Sequence, residues 1–180
     1  MQVRLARTDE LGEARLAGVR LLMDAAFPDD FDQTDWDHAL GGTHALVEEG
    51  DRVVAHGSVV WRELLVDDRP VRTAYVEAVA VAPDRRRRGL AAAVMAALEE
   101  RARAEGAELL ALGSSDQGMP LYLARGWVPW PGPTGVRSPS GGGSWEPTPD
   151  DDGAVLVLAG TRPVPAGTRL VCDPRPGDVW

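Results

Sequence analysis

The chain has 180 residues, 44% of them apolar, and a net charge of −9; that is enough length for one domain with its own core. The charge stands in spite of four consecutive arginines at 85–88. It excludes the broad basic face that duplex nucleic acid needs and suits either solubility or attraction of a cationic ligand. No apolar run approaches the ~18–20 residues that span a bilayer, no signal-peptide pattern opens the chain, and the lone Cys172 cannot close an internal disulfide. A cytoplasmic protein without membrane or nucleic-acid partners is therefore expected.

Residues 3–6 read as a short strand. Thr8 is placed to cap a helix whose apolar face is Leu11, Leu16, Val19, Leu22, Met23 and Ala26, and Pro28 ends it. Thr34 is placed to cap a second, short helix that stops at Gly41. THALVEE and RVVAHGSVVWRELLVD read as two strands of a hairpin turning at Gly50 and Asp51. Asp67 and Asp68 turn the chain into the long run PVRTAYVEAVAVAP. Strict alternation there puts Tyr75, Glu77, Val79 and Val81 on one face and the small Ala74, Ala78 and Ala80 with Val76 on the other, a face suited to close packing by a helix. A helix over 89–104 buries Leu90, Val94, Met95 and Leu98. Strands are expected at 108–112, 154–158 and 169–172, a short helix closes at Gly126, and the Pro-, Gly- and Ser-rich stretch 131–153 reads as a long loop. The sum is one mixed α/β domain.

The segment VEAVAVAPDRRRRGLAAAVMAAL, residues 76–98, carries the most chemistry. A strand stops at Pro83, a basic turn with Gly89 follows, and a helix begins. Unpaired amides and the positive end of the helix dipole make such a turn an anion cradle. Inside the strand lies one carboxylate, Glu77, which burial would tune as a proton acceptor. The turn lacks the Gly-Lys-Ser/Thr of nucleotide hydrolases and the Gly-x-Gly-x-x-Gly of dinucleotide folds. Arg86-x-x-Gly89-x-Ala91 instead resembles the Gln/Arg-x-x-Gly-x-Gly/Ala loop that binds acetyl-coenzyme A.

With the order of elements and the segment Leu121-Tyr122-x-x-Arg125-Gly126-Trp127, this loop resembles the GCN5-related N-acetyltransferase (GNAT) superfamily. Within it, DFDQTDWDHALGGTHAL, AYVEAVAV, LYLARGWVPWPGPT, PDDDG and CDPRPGDVW are similar to the aminoglycoside 2′-N-acetyltransferases. The resemblance implies a single domain over residues 1–180, with a central, mostly antiparallel mixed sheet, splayed central strands and flanking helices. It implies Glu77 as general base and Tyr122 as general acid toward the departing thiolate. The Val79 amide would polarise the thioester carbonyl, Val81 would pair with the pantetheine arm, and the amides of Arg86, Arg87, Arg88, Gly89, Leu90 and Ala91 would hold the pyrophosphate. Asp30, Asp35, Asp151, Asp178 and the Trp180 carboxylate would meet the ammonium groups of a polycationic substrate. Gly113 stands where the family often has serine, which removes one side-chain contact. The resemblance also suggests a homodimer.

The acetyl donor is then acetyl-coenzyme A, with no metal: His38, His44 and His56 lack ligand spacing. Trp36, Trp127 and Trp130 suit either a sugar-ring pocket or the core. Two other readings remain open, a GNAT enzyme for a different cationic amine and a non-catalytic protein that binds acyl-coenzyme A or antibiotic.

Overall fold

The computed structural model describes residues 2–138, 144–165 and 167–180. They group into two compact units, Met1–Val60 with Val76–Arg101, and Trp61–Tyr75 with Ala102–Trp180.

The first unit opens with β1 (Arg4–Arg7), α1 (Thr8–Ala26) and α2 (Gln33–Ala39), followed by β2 (Thr43–Glu49). The first part of β3 (Arg52–Val66), the last part of β4 (Arg69–Val81) and most of α3 (Leu90–Ala104) complete it. β1 pairs with β2 and β2 with β3, all antiparallel. The hairpin turns at Gly50, where φ is 60°, as the sequence predicts. α1 buries Leu11, Val19, Leu22 and Met23, four of its six expected apolar residues, and breaks at Gly12 (φ 71°).

Both helix caps differ from expectation. Arg7 is the N-cap of α1, and its N–H donates to Glu10 Oε2 at 2.8 Å. Asp32 caps α2, accepting from the Thr34 and Asp35 amides at 2.6 and 3.0 Å, while Asp35 returns a carboxylate oxygen to the Asp32 N–H at 2.9 Å. A short carboxylate satisfies two orphan amides of α2 at once; the Thr8 hydroxyl, inside α1 rather than at its cap, bonds the Gly41 amide and His44 instead.

α3 buries Leu90, Val94, Met95 and Leu98, the stripe its periodicity predicts. It lies close over β3 because Gly57 has no side chain. A methyl there would sit 2.9 Å from Val94 Cγ1, 3.1 Å from Leu98 Cδ1 and 3.3 Å from Val79 Cγ2. Val79 thus lies on the side of the sheet that α3 covers, where strict alternation placed the alanines. The cause is Ala78, whose φ of 51° breaks the strand's period. Gly57→Val is expected to cost about 1–3 kcal/mol by overpacking, read as a lower urea midpoint; an unchanged midpoint would show the α3 contact to be loose.

In the second unit the strands are β5 (Leu109–Gly113), β6 (Val128–Pro129), β7 (Thr134–Arg137), β8 (Trp145–Pro147), β9 (Val155–Ala159) and β10 (Leu170–Cys172), with the short helix α4 (Met119–Leu123). The order runs β6-β9-β5-β4-β3-β10-β7-β8. β4–β5 and β10–β7 are parallel; β5–β9, β6–β9, β7–β8 and β10–β3 are antiparallel. The β4–β5 ladder covers residues 73–75 against 109–111.

The stretch 131–153 is not one long loop. β7 and β8 form in it because the bare Gly135 backbone lets the Trp145 ring lie flat against it: an added methyl would fall 2.2 Å from Trp145 Cε3. Residues 139–143 of the expected loop lie outside the described residues. Among the described residues no helix is long and apolar enough to cross a membrane.

Candidate active site

The reaction chemistry expected of the first unit centres on the end of β4. Ala78 holds a left-handed backbone at φ 51°, a conformation that costs a residue with a Cβ about 1–2 kcal/mol. Such strain persists only where its surroundings enforce it. Two side chains of β3 do so: Ser58 Oγ donates to the Glu77 carbonyl at 3.4 Å, and His56 Nδ1 lies 2.8 Å from the Ala78 carbonyl. Glu77 is half-buried rather than enclosed as the sequence reading expects. Val79 and Val81 are likewise half-buried.

Past β4, the chain makes one 3-10 turn (Pro83–Arg85) and enters the basic loop. Arg85 is committed to structure, with Nε 2.9 Å from Glu49 and Nη1 2.7 Å from Asp84. Asp84 also takes a bidentate pair from Arg52 at 2.9 and 3.0 Å; these contacts hold its carboxyl below its ordinary range, with the Arg52 hydrogen bond first among them. Arg86 reaches the Ala26 carbonyl at 3.4 Å, and Arg87 and Arg88 are exposed.

Left-handed backbone recurs at Arg87 (φ 60°) and Gly89 (φ 77°). Ala93 N–H donates to the Gly89 carbonyl at 3.0 Å, so the amides of Leu90 and Ala91 lie in the first turn of α3, ahead of the regular intrahelical ladder. An exposed turn, nothing within 4 Å of a methyl placed on Gly89, and the positive end of a 15-residue helix suit a pyrophosphate. Asp30 is exposed in the same unit, and Asp35 spends one oxygen on the α2 cap.

The second unit supplies a cavity of about 410 Å³ lined by Gly113, Ser114, Asp151, Asp178 and Trp180 among others. It gathers three of the five expected cation partners, Asp151, Asp178 and Trp180, beside Gly113; Asp30 and Asp35 are not among those lining it. Asp151 sits on a 3-10 turn (Pro149–Asp151) anchored next door by Asp152, which accepts from the Thr134 amide and hydroxyl at 2.8 and 2.9 Å. Burial first, then the charges of Asp178, Asp150 and Asp152, push the Asp151 carboxyl up, against a Thr148 hydrogen bond that lowers it. Carboxylates gathered in this way are relieved by a bound cation.

The segment carrying Asp178 is pinned at several points. Arg62, nearly buried, donates from Nε to Asp173 Oδ1 at 2.9 Å. Arg175 Nε donates to the Asp178 carbonyl at 2.8 Å, and Trp180 Nε1 to Thr148 Oγ1 at 2.9 Å. Gly113 has a steric reason here: a methyl would lie 3.1 Å from the Trp180 carbonyl carbon, the space a serine side chain would occupy.

Tyr122 is buried on α4, its ring 6.0 Å from that of Trp127. Burial pushes its phenol up to about 12, so it keeps its proton at neutral pH. Trp127 and Trp130 are buried and belong to the core. Cys172 is fully buried, and burial raises its thiol to about 11, which removes it as a nucleophile.

Sequence reasoning passed over the two buried histidines. A regular hairpin around Gly50 and Asp51 would put His44 and His56 on opposite faces. The register shifts by one residue between Val47 and Glu48, so His44 lies opposite Ser58 and Leu46 opposite His56. That slip brings both imidazoles to one face as diagonal neighbours, with His44 Nδ1 2.9 Å from His56 Nε2.

A kinked strand feeding an arginine–glycine turn at a helix N-terminus, on a mixed sheet, suits an acetyltransferase that draws on acetyl-coenzyme A. The chain belongs to the Acetyltransferase (GNAT) family, whose profile matches residues 15–127. It is 46% identical over 186 aligned residues, covering 98% of this chain and 91% of the relative, to an aminoglycoside 2′-N-acetyltransferase of Mycolicibacterium fortuitum. A GNAT family acetyltransferase from Brucella melitensis, solved in complex with acetyl-CoA, shares the fold at TM-score 0.59 and 16% identity, covering 92% of this chain and 93% of that one. A GCN5-related N-acetyltransferase from Kribbella flavida aligns at TM-score 0.57 and 24% identity over 71% of this chain, which spans only 33% of that longer one.

Proposed function

We propose that the protein transfers an acetyl group from acetyl-coenzyme A to the 2′-amine of aminoglycosides, by direct attack with both substrates bound. The observation that carries this reading is the cavity in which Asp151 and Asp178 meet, one carboxyl pushed up by burial and by the other's charge. Such a site favours a ligand with several ammonium groups, and the relative at 46% identity bears the matching name.

Acetyl-coenzyme A supplies the activated acetyl group. The amides of residues 86–91 hold its pyrophosphate, and Val81 pairs with its pantetheine arm. Glu77 takes a proton from the substrate ammonium, directly or through water, and so frees the nitrogen lone pair. The Val79 amide faces the oxygen on which charge develops. A carbon–nitrogen bond forms, the carbon–sulfur bond breaks, and Tyr122, whose proton is retained at neutral pH, protonates the sulfur. The second proton of the attacking nitrogen passes through water to the phenolate, and the proton on Glu77 leaves to solvent. Asp151 and Asp178 pair with ammonium groups that do not react. The product has lost one positive charge, which is the means by which such an enzyme confers antibiotic resistance. The acetyl donor and a buried, reduced cysteine suit the cytoplasm.

The test is thiol release over a panel of aminoglycosides with and without a 2′-amine. Release confined to the 2′-amino compounds supports the reading; release with polyamines or amino sugars alone would replace it with another amine acetyltransferase, and release with none would leave a binding protein. Asp178→Asn is expected to raise the aminoglycoside KM about 5–30-fold, as loss of one charge-assisted pair does, with the acetyl-coenzyme A KM within about twofold. Equal effects on both would remove Asp178 from the substrate side.

A further inference from the structure

The kink at Ala78 is held from behind by a chain of hydrogen bonds whose proton directions are all determined. The Ala78 carbonyl can only accept, so His56 Nδ1, 2.8 Å away, carries a hydrogen. Burial drives both imidazoles down, His56 to about 3 and His44 to about 4, so each is neutral and bears a single N–H. His56 Nε2 is then an acceptor, and His44 Nδ1, at 2.9 Å, is its donor. His44 Nε2 in turn accepts, and the Thr8 hydroxyl at 2.7 Å must give it a hydrogen in preference to the Gly42 carbonyl at 3.3 Å. Thr8 Oγ1 takes the Gly41 amide at 2.9 Å. Reversing any one hydrogen in this chain sets two acceptors or two donors face to face.

We propose that Thr8, His44 and His56 form a positioning chain that clamps the Ala78 kink and so sets the direction of the Glu77 carboxylate and the Val79 amide. This rests on the reading that the kinked end of β4 carries the acetyl transfer. His56 is fully buried and bonds to the Ala78 carbonyl on one side and to His44 on the other. It is a positioning residue, acting through the backbone between two groups whose placement sets the rate. The strain at Ala78 explains the need for it: without the donated hydrogen bond, the strand can relax toward its regular period, which moves Val79 and Glu77 to other directions. Misplacement of reacting groups by about 1 Å costs on the order of 10²-fold in rate.

The experiment uses the full-length protein. Imidazole 15N NMR at pH 7 is expected to show both His44 and His56 as the Nδ1–H tautomer; an Nε2–H tautomer at either would overturn the chain. His56→Leu is expected to lower kcat about 10–100-fold with the acetyl-coenzyme A KM within about twofold. Because that variant could fold poorly, Thr8→Val tests the same chain from its far end with both histidines kept. It should lower kcat several-fold at an unchanged thermal midpoint, and Thr8→Ser should restore it. Wild-type kcat in both His56→Leu and Thr8→Val overturns the proposal whatever Glu77→Gln does. A normal rate in Glu77→Gln beside a slow, folded His56→Leu overturns the base assignment alone and leaves the kink, through the Val79 amide, as what is positioned.

Discussion

Glu77→Gln is expected to lower kcat about 10²–10⁴-fold at neutral pH, the range spanned by loss of a positioned general base, while leaving the acetyl-coenzyme A KM within about twofold. The amide keeps the side chain's shape at a half-buried strand position, so packing is nearly conserved and the change isolates the proton acceptor. A substrate ammonium has no lone pair to attack with until its proton leaves. With the carboxylate gone, only the small fraction of free amine in solution can react, so the variant's rate should keep climbing with pH and its deficit should narrow. The measurement is kcat and kcat/KM from pH 6 to 9.5 by thiol release. Turnover within about threefold of wild type across that range would sink the base assignment. A deficit independent of pH would assign Glu77 to binding the amine rather than deprotonating it.

That prediction starts from a residue legible in the sequence. Period-two alternation, Pro83 and the Arg86-x-x-Gly89-x-Ala91 spacing place the strand, turn and helix correctly, because each is a local signal: turn residues, a proline stop and a 3.6-residue stripe. What surrounds Glu77 is not local. The left-handed Ala78 carries no glycine or asparagine to announce it, since its conformation is enforced by His56 and Ser58 on another strand. The two histidines come together through a one-residue register slip that spacing cannot show. Gly113 looks like a missing serine until the Trp180 main chain is seen to need its space.

Thr8 illustrates the limit from the other side. Its position before an apolar helical stripe is a sound N-cap signal, yet the hydroxyl serves Gly41 and His44. Tertiary partners 33 and 36 residues away won over the helix's own amides. The acidic residues divide in the same way. Asp32 and one oxygen of Asp35 serve the α2 cap, and Asp84 is tied to Arg52 and Arg85. Asp151 and Asp178 are left lining a cavity. Net charge says that carboxylates are in excess; only the fold says which ones are still available for a cation.

The buried imidazoles also fix how the fold should respond to acid. An unfolded histidine takes up a proton below about pH 6.5, whereas burial keeps His44 neutral in the folded chain down to about 4 and His56 down to about 3. Between these values the unfolded chain binds more protons, so stability is fully present above about pH 6.5 and is lost as the pH falls. Each imidazole contributes a slope of about 1.4 kcal/mol per pH unit at most. Asp32, Asp67 and Asp84, held low chiefly by hydrogen bonds to Asp35, Thr168 and Arg52 respectively, lose their contributions only below the ordinary carboxylate value of about 3.9, under this window. Asp151, pushed up by burial, works in the opposite direction and offsets part of the loss near the acid end. Urea unfolding at pH 7.5, 6.5, 5.5 and 4.5 should therefore show stability level between the first two points and falling through the rest. His56→Leu should start lower, and its curve between pH 6.5 and 4.5 should be flatter by one histidine's slope. Parallel curves for the two proteins would mean that His56 takes up its proton at the same pH in the folded chain as in the unfolded one, and the hydrogen bond that His44 donates to His56 would then be lost below that pH.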